Sequence, residues 1–256
     1  MVGTGFDLTG SVAVVTGASR GLGVSFAQGL TRAGADLLLV ARRLELLDAV
    51  AADLRQYGRR VETLRVDIAD PRDVEHMAAF AVEQFGRIDV LVNNAGISAM
   101  VPAEDMSLDD WRRVIDVNLT GSFLCAQAVG RQMLQQGRGK IINIASVYGQ
   151  AANNFLPASS YVASKWGLIG LTKELASQWA SRGLNVNAIA PGHYPTKKTE
   201  QLYADPAFAS KVASRVPQGR FGVGADLEGV VVFLASAASD YVNGVVIPVD
   251  GGFLAW

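Results

Sequence analysis

Cysteine and histidine are scarce in this sequence of 256 residues, which contains one cysteine, Cys125, and two histidines. A single cysteine excludes an intrachain disulfide, and no Cys/His grouping has the spacing of a zinc site. We therefore predict no metal centre. Charge is also modest, with 18% charged residues, a formal net charge of −1 and no basic cluster. This composition argues against nucleic-acid binding.

Long apolar runs are missing as well. None reaches the roughly 18 residues that a membrane-spanning helix requires. The first ten residues, MVGTGFDLTG, have neither a basic start nor an apolar core, so we expect no signal peptide. We predict a soluble cytoplasmic protein that does not associate with membranes.

Short apolar runs rich in β-branched residues alternate with longer helical patterns from one end of the chain to the other. The predicted strands are 12–16, 36–41, 61–66, 89–94, 140–145, 184–190 and 245–249. Strands that are apolar at every position suit a sheet covered on both faces by helices. The alternation predicts an α/β fold, a single doubly wound Rossmann-type domain over residues 1–256 with a seven-stranded parallel sheet.

Two irregular segments interrupt this alternation, residues 147–158 and about 193–223. Both follow strands at their carboxyl ends, where open α/β sheets bind ligands. We expect both to be substrate loops, and the second, which has helical stretches, to act as a lid.

A glycine-rich segment, TGASRGLG, joins the first strand to the first helix. Gly17 permits a tight turn, while Gly21 and Gly23 allow close approach of the backbone to a ligand and to a neighbouring strand. The start of the helix then offers unpaired N–H groups to a pyrophosphate. This context between strand and helix predicts a dinucleotide site.

The end of the second strand bears on which dinucleotide is bound. Proteins that bind NAD usually have an acidic residue there for the ribose hydroxyls. Here Ala41 is followed by Arg42 and Arg43, and Arg20 lies in the glycine-rich segment. Arginines without a carboxylate suit a 2′-phosphate, so NADP(H) is favoured over NAD(H), although arginines are also common on surfaces.

Tyr161 and Lys165 lie four residues apart in a long helical pattern and therefore on one helix face. An isolated tyrosine loses its proton at about pH 10, and a nearby lysine charge is expected to lower that pKa. The pair could serve as a general acid and base if a hydride donor lies beside it. The same spacing also occurs on ordinary amphipathic helices, with a solvated lysine beside a half-buried tyrosine.

Six segments together resemble the short-chain dehydrogenases/reductases. They occur in that family's order over essentially the whole chain: TGASRGLG, NNAG, Asn118 in VNL, Ser146 in INIAS, YVASK and IAPG. The resemblance implies a catalytic set of Asn118, Ser146, Tyr161 and Lys165. Ser146 would hydrogen-bond the reacting oxygen, Lys165 would hold the ribose, and Asn118 would support a water-linked proton path to Lys165.

The cofactor-binding residues implied by the resemblance extend along the chain. Besides Tyr161 and Lys165, they are Gly17, Ser19, Arg20, Gly21, Leu22, Gly23, Arg42, Arg43, Asp67, Ile68, Asn94, Ala95, Gly96, Pro191, Gly192, Tyr194 and Thr196. Asp67 would contact the adenine, and Pro191, Gly192 and Thr196 the nicotinamide carboxamide. The implied reaction interconverts a secondary alcohol and a ketone.

The substrate is less clearly indicated. The segment after IAPG, with Thr196, Lys197, Thr199 and Glu200, resembles the gluconate 5-dehydrogenase branch, which implies a sugar acid. Against this, 97–101 and the loop with Asn153, Asn154 and Phe155 carry no charge for a carboxylate. A less charged ketone, or the substrate of a 3-oxoacyl-carrier-protein reductase, is the alternative, and a non-catalytic dinucleotide sensor a remote one. His193 and Tyr194 are expected either to face the substrate or to be structural.

The Tyr161 helix also suggests self-association. Ala163, Gly167 and Gly170 would let another helix approach closely, and the helix is apolar nearly all round. The family resemblance implies a homotetramer. The apolar tail, 253–256, is expected to pack against a neighbouring subunit.

Overall fold

The computed structural model describes residues 5–153, 155–196 and 200–255. Seven parallel strands form one sheet in the order β3-β2-β1-β4-β5-β6-β7. They are β1 (Val12–Thr16), β2 (Asp36–Ala41), β3 (Val61–Arg65), β4 (Val90–Asn93), β5 (Gly139–Ile144), β6 (Leu184–Pro191) and β7 (Val246–Val249). The predicted fold class is confirmed, and each predicted strand overlaps an observed one.

Helices connect the strands as predicted. They are α1 (Leu22–Arg32), α2 (Leu44–Arg55), α3 (Pro71–Phe85), α4 (Leu108–Ile115), α5 (Gly121–Gln136), α6 (Ser159–Trp179), α7 (Glu200–Ala204), α8 (Pro206–Ala213) and α9 (Ala225–Ala235). A π-helical turn, Asp116–Thr120, separates α4 from α5. Such turns often occur at functional sites. Among the described residues, no helix has both the length and the apolar character needed to cross a bilayer.

Each face of the sheet is covered by its own hydrophobic core. Leu39 of β2 belongs to the core that includes Phe26 of α1, while Leu38 belongs to the opposite core with Met77 of α3 and Cys125 of α5. Adjacent strand residues point to opposite faces, so burial of both residues requires helices on both sides. The uninterrupted apolar strands of the sequence have this physical origin.

The order of the strands reverses between β1 and β4, and their carboxyl ends are linked there by side chains. Thr16 Oγ1 accepts hydrogen bonds from the backbone N–H groups of Asn94 and Ala95, both at 3.0 Å. The Asn94 side chain donates to the carbonyl oxygens of Thr16 and Gly17 at 2.9 and 3.2 Å. The chain therefore forms a braced crevice at the position where doubly wound sheets bind ligands.

Candidate functional site

A cavity of about 690 Å³ lies at this crevice. Its volume falls within the range of small-molecule and cofactor sites. Thirteen of the residues predicted to bind the cofactor line it: Gly17, Ser19, Arg20, Gly21, Leu22, Arg42, Arg43, Asp67, Ile68, Asn94, Ala95, Gly96 and Thr196. These residues come from segments as distant in sequence as 17 and 196, and the fold brings them to one cavity.

The glycine-rich segment turns sharply into α1. Gly17 and Gly21 have φ of +67° and +63°, in the region that favours glycine. Gly23 lies behind this segment rather than in the cavity lining, and a Cβ there would be 2.5 Å from the Gly17 carbonyl oxygen and 3.0 Å from Ala18 Cα. Glycine at 23 is therefore required by close backbone packing.

The start of α1 fits a phosphate group. No described side chain caps it, and its first turn contains no acidic residue. An uncapped helix start presents N–H donors and a partial positive charge. Because Gly21 and Leu22 line the cavity, this end of α1 and the cavity together fit the pyrophosphate of a dinucleotide.

The arginines predicted to select the cofactor lie at the same cavity. Arg20, Arg42 and Arg43 are exposed side chains on its wall, next to Ala41 at the end of β2. The backbone carbonyl of Arg42 accepts a 3.3 Å hydrogen bond from Arg65 Nε, which adds a fourth guanidinium to this corner. The wall formed by the end of β2 is thus cationic.

Two predicted residues that line the cavity also make hydrogen bonds that hold the surrounding backbone. The Asp67 carboxylate accepts a 3.1 Å hydrogen bond from Ala69 N, which shapes the turn after β3. The Asn94 side-chain amide donates its hydrogen bonds to carbonyl oxygens of the glycine-rich segment. Thr196 lies next to Gly21 in the cavity lining, since a Cβ on Gly21 would be 3.6 Å from its methyl group.

Besides Gly23, Tyr161 and Lys165, three further predicted cofactor residues lie outside this cavity lining. Pro191 ends β6. Gly192 approaches Asp250 so closely that a Cβ would lie 2.7 Å from its Cα. Tyr194 is buried in the core on one face of the sheet, and its hydroxyl donates to the Val249 carbonyl at 3.0 Å. The Tyr194 side chain is thereby directed towards β7, and its contacts there are structural.

The other predicted residues meet at the carboxyl end of β5. Ser146 is buried, lies two residues beyond the end of that strand, and accepts a 3.1 Å hydrogen bond from Tyr148 N. Tyr161 lies in the first turn of α6, with its phenol near enough to the Ser146 hydroxyl for that hydroxyl to affect its pKa. Burial raises the pKa of the Tyr161 phenol, while the nearby Ser146 hydroxyl acts in the opposite direction. The expectation that Lys165 lowers this pKa is therefore wrong for this structure, because burial has the larger effect and raises it.

Lys165 is 4% exposed, and burial lowers the pKa of its amine to about 8. Its Nζ donates a 2.6 Å hydrogen bond to the Ile144 carbonyl and lies 5.6 Å from the centroid of the Tyr161 ring. A Cβ on Gly96 would be 3.8 Å from the same Nζ. Since Gly96 lines the cavity, the lysine amine lies just behind the cavity wall.

Asn118 is fully buried within the π-helical turn. Its Oδ1 accepts from Ile97 N at 2.8 Å, and its Nδ2 donates to Ile97 O at 2.9 Å and to Ser164 Oγ at 3.0 Å. Ser164 Oγ in turn donates to the Tyr161 carbonyl at 2.7 Å. Asn118 therefore ties the segment after β4 to the turn of α6 that carries Tyr161. The proton path through Asn118 stays a prediction.

A group of aromatic side chains beside these residues was not identified from the sequence as a unit. We name it the aromatic cluster; its members are Tyr148, Phe155, His193, Tyr203, Phe208 and Phe253, with neighbouring ring centroids 5.1 to 6.3 Å apart. The predicted lid contributes Tyr203 from α7 and Phe208 from α8. The members are scattered along the chain without periodicity, so no local pattern reveals the cluster.

Phe253 corrects one expectation about the tail. It is buried in its own chain against Tyr148, Phe155 and His193 rather than offered to another subunit. The aromatic cluster also has cations at its edge, which the sequence analysis missed: Lys211 Nζ lies 5.6 Å from the Phe155 ring centroid, and the Arg215 guanidinium 6.0 Å from that of Phe253. The predicted positions Asn154, Lys197, Thr199 and Trp256 lie outside the described residues.

No three His, Cys, Asp or Glu side chains in the described ranges are grouped closely enough to hold a metal ion. The chemistry available at the site is that of a tyrosine, a serine and a lysine beside a cavity suited to a dinucleotide. This combination can transfer a proton to or from an oxygen atom next to a hydride carrier.

Comparison with known proteins agrees with this geometry. Residues 11–207 match the model of the short chain dehydrogenase family. The chain is 43% identical to 2-dehydro-3-deoxy-D-gluconate 5-dehydrogenase from Escherichia coli, with all of both chains covered, and 41% identical to gluconate 5-dehydrogenase from Gluconobacter oxydans, with 96% of each covered. A crystal structure of a gluconate 5-dehydrogenase from Burkholderia cenocepacia, in complex with NADP and tartrate, superposes with a TM-score of 0.94 at 39% identity, with 98% of each chain covered. The chain therefore belongs to the short-chain dehydrogenase family and is a dehydrogenase that acts on a CH–OH group.

Proposed function

We propose that the protein is an NADP-dependent oxidoreductase that interconverts a secondary alcohol and a ketone, with Tyr161 as general acid and base. The observation that carries this proposal is the grouping of Tyr161 with Ser146 and with Lys165, whose amine lies just behind the Gly96 wall of the cavity. Proton transfer and hydride transfer must occur at adjacent atoms of one substrate, and this arrangement supports both.

The proposed roles follow from the chemistry of each group. A bound nicotinamide dinucleotide supplies the hydride for reduction and takes it in oxidation. Tyr161 gives its proton to the substrate oxygen in reduction and receives it in oxidation. Burial, which raises the pKa of Tyr161, keeps the phenol protonated at neutral pH and ready to act as an acid. Ser146 holds the substrate oxygen against the phenol through its hydroxyl.

Lys165 and Asn118 act on Tyr161 in this proposal rather than on the substrate carbon. The Lys165 amine, whose pKa is about 8, is mostly charged at neutral pH, and its charge stabilises the phenolate. Asn118 positions the start of α6 through Ser164. We also propose that Asn118 supports a water-linked proton path to Lys165.

We propose NADP(H) as the cofactor because of the cationic end of β2. Arg20, Arg42 and Arg43 line the cavity beside Ala41, where proteins that bind NAD have an acidic residue. Guanidinium groups suit a 2′-phosphate. The NADP in the Burkholderia cenocepacia structure is further support. Asp67, Ile68 and Ala95 would line the adenosine and ribose, and Pro191, Gly192 and Thr196 would hold the carboxamide, with Tyr194 supporting that segment.

For the substrate we propose a polyhydroxylated molecule, with sugar acids of the gluconate type first among candidates. The names of the relatives support this class, and Lys211 and Arg215 supply cations at the edge of the aromatic cluster for a carboxylate. We further propose that residues 193–223, which contain α7 and α8, form a lid over this substrate.

Replacement of Tyr161 with phenylalanine tests the proposal. We expect Tyr161→Phe to abolish NADPH-linked turnover over a panel of sugar acids, polyols, short 3-oxoacyl thioesters and cyclic ketones, with little change in the Kd for NADP. Tyr241→Phe, at a fully exposed tyrosine, is the matched control. Substantial residual activity in Tyr161→Phe would refute the role of the phenol. NADP binding without turnover of any substrate by the wild type would favour a dinucleotide sensor.

We also propose a homotetramer. Trp111, Phe123 and Trp166 are 38%, 38% and 51% exposed on α4, α5 and α6, and such apolar side chains favour burial between subunits. Gly170 has open space around it, whereas a Cβ on Gly167 would be 2.8 Å from Leu119 of the same chain. Gly167 is thus required within the subunit, and light scattering of the purified protein would test the assembly. A cytoplasmic location stays a prediction.

A further inference from the structure

Three polar groups form a hydrogen-bonded chain inside the aromatic cluster. His193 Nε2 is 3.1 Å from the Tyr148 hydroxyl, and His193 Nδ1 is 2.9 Å from the Tyr203 hydroxyl. Tyr148 follows β5, His193 follows β6, and Tyr203 lies in α7 of the lid segment. All three residues therefore lie beyond the carboxyl ends of the strands, where this fold binds its ligands.

The chain of hydroxyls and imidazole lies next to the reacting groups. Tyr148 N donates to Ser146 Oγ, and the Tyr161 phenol lies near the Ser146 hydroxyl, which affects its pKa. The proximity of Tyr161 also contributes to the raised pKa of both Tyr148 and Tyr203, after burial. A ligand held by the Tyr148 and Tyr203 hydroxyls would thus extend from the oxygen bound by Tyr161.

His193 is uncharged at neutral pH, because burial lowers its pKa to about 4. A neutral imidazole has one N–H donor and one acceptor nitrogen. One tyrosine therefore donates its hydrogen to the ring, while the other accepts from the ring and keeps its own hydrogen to donate elsewhere. Whichever tautomer is present, the two hydroxyls together offer one further donor and one acceptor.

This pairing discriminates between ligand groups. A hydroxyl group both donates and accepts, so it matches one donor and one acceptor, whereas a carboxylate only accepts. The surrounding rings of Phe155, Phe208 and Phe253 offer apolar surface to the C–H groups of a carbon chain. Aromatic walls with a few oriented polar groups are typical of small-molecule sites.

We propose that Tyr148, His193 and Tyr203 form a hydroxyl-recognition site, which binds a hydroxyl next to the reacting carbon of a polyhydroxylated substrate. This inference rests on the proposed function, because it assumes that Tyr161 binds the reacting oxygen. Tyr148 and Tyr203 contact the substrate, and His193 orients their hydroxyl hydrogens. Lys211, at the edge of the cluster, would bind a carboxylate when the substrate carries one.

The test combines two variants with matched substrates. Tyr148→Phe and Tyr203→Phe keep the aromatic ring and remove only the hydroxyl. Their kcat/KM is compared with that of the wild type for the best substrate among D-gluconate, D-sorbitol and galactitol, and for its two deoxy analogues that lack a hydroxyl neighbouring the oxidised carbon. The wild type should prefer the parent over at least one analogue by roughly 10- to 100-fold.

In at least one variant this preference should fall by about 10-fold or more, because the site no longer pairs with the missing hydroxyl. Tyr241→Phe should keep the full preference. Unchanged preferences in both cluster variants would overturn the inference. So would turnover of a simple secondary alcohol such as cyclohexanol without turnover of any polyhydroxylated one, although the proposed function would then stand. If the wild type turned over neither simple nor polyhydroxylated alcohols, the proposed function would be overturned as well.

Discussion

Lys165 Nζ donates a 2.6 Å hydrogen bond to the carbonyl oxygen of Ile144, the last residue of β5. This bond joins α6 to the strand that precedes Ser146. It therefore helps to fix the position of the helix that carries Tyr161 relative to the serine. The same lysine lies 5.6 Å from the centroid of the Tyr161 ring. A group that holds the site together is therefore also the charge nearest the reacting phenol in our proposal.

The buried lysine makes stability depend on pH. Its pKa falls from 10.5 to about 8 on folding, so the unfolded chain binds more protons between these values and wild-type stability should rise as the pH increases from 8 to 10.5. The expected gain is about 3 kcal/mol. Lys165→Met lacks this titration, and it should also lose activity at pH 7.

Urea unfolding at pH 7, 9 and 10.5 checks the prediction. The difference between wild type and Lys165→Met isolates the lysine, since the other titrating groups are shared. Parallel pH profiles of the two proteins would show that the Lys165 amine is not the group that titrates.

Asn118 should contribute to both stability and activity. Asn118→Leu has a similar size but leaves Ile97 N and Ile97 O without the partners seen here. Each buried unpaired group costs about 1–3 kcal/mol, so we expect a loss of roughly 2–5 kcal/mol and a strongly reduced kcat. Ser164→Ala removes only one of the Asn118 contacts and should cost about 1 kcal/mol.

Chemical denaturation and steady-state kinetics of the two variants give the comparison. If Ser164→Ala destabilised the protein as much as Asn118→Leu, the loss of stability would come from the contact with α6 rather than from the unpaired groups of Ile97.

Cofactor preference should depend on Arg42. Removing a guanidinium that pairs with a 2′-phosphate costs a charge-assisted hydrogen bond, so Arg42→Ala should raise the KM for NADP(H) by roughly 10- to 100-fold. The KM for NAD(H), which lacks that phosphate, should change little. Arg72→Ala, at a highly exposed arginine at the start of α3, is the control. An equal rise for both cofactors in Arg42→Ala would contradict a role in selecting the phosphate.

The strand–helix framework is predictable from local sequence patterns, and most of the residues that line the cavity were implied by the family resemblance. Gly17 belongs to TGASRGLG and Asn94 to NNAG, and each of these motifs lies at the end of a strand. The orientation of side chains in irregular segments is not predictable in this way. His193 and Tyr194 are neighbours without periodicity, and only the fold directs Tyr194 to Val249 and His193 into the aromatic cluster.

Electrostatic properties were less predictable than positions. The four-residue spacing of Tyr161 and Lys165 correctly puts both residues on one helix. Burial nevertheless has a larger effect on the pKa values of both groups than their proximity to each other. It raises the pKa of the phenol and lowers that of the amine. Burial depends on contacts made across the whole chain, such as that of Lys165 with Ile144, and no local pattern reports it.

His193 should make the protein sensitive to mild acid. Its pKa is lowered from 6.5 to about 4 by burial, so the unfolded chain binds more protons between these values. The contribution of neutral His193 is complete above pH 6.5, decreases as the pH falls, and is lost by about pH 4. Between pH 7 and pH 5 the expected loss is about 2 kcal/mol.

The variant His193→Gln keeps a hydrogen-bonding side chain but cannot titrate, so its unfolding free energy should fall less than that of the wild type between pH 7 and pH 5. The only other histidine, His76, is exposed on α3, and His76→Gln should retain the wild-type pH dependence. Urea unfolding of the three proteins at both pH values makes the comparison. If His193→Gln and the wild type lose the same free energy, the neutral imidazole between Tyr148 and Tyr203 does not carry the acid sensitivity.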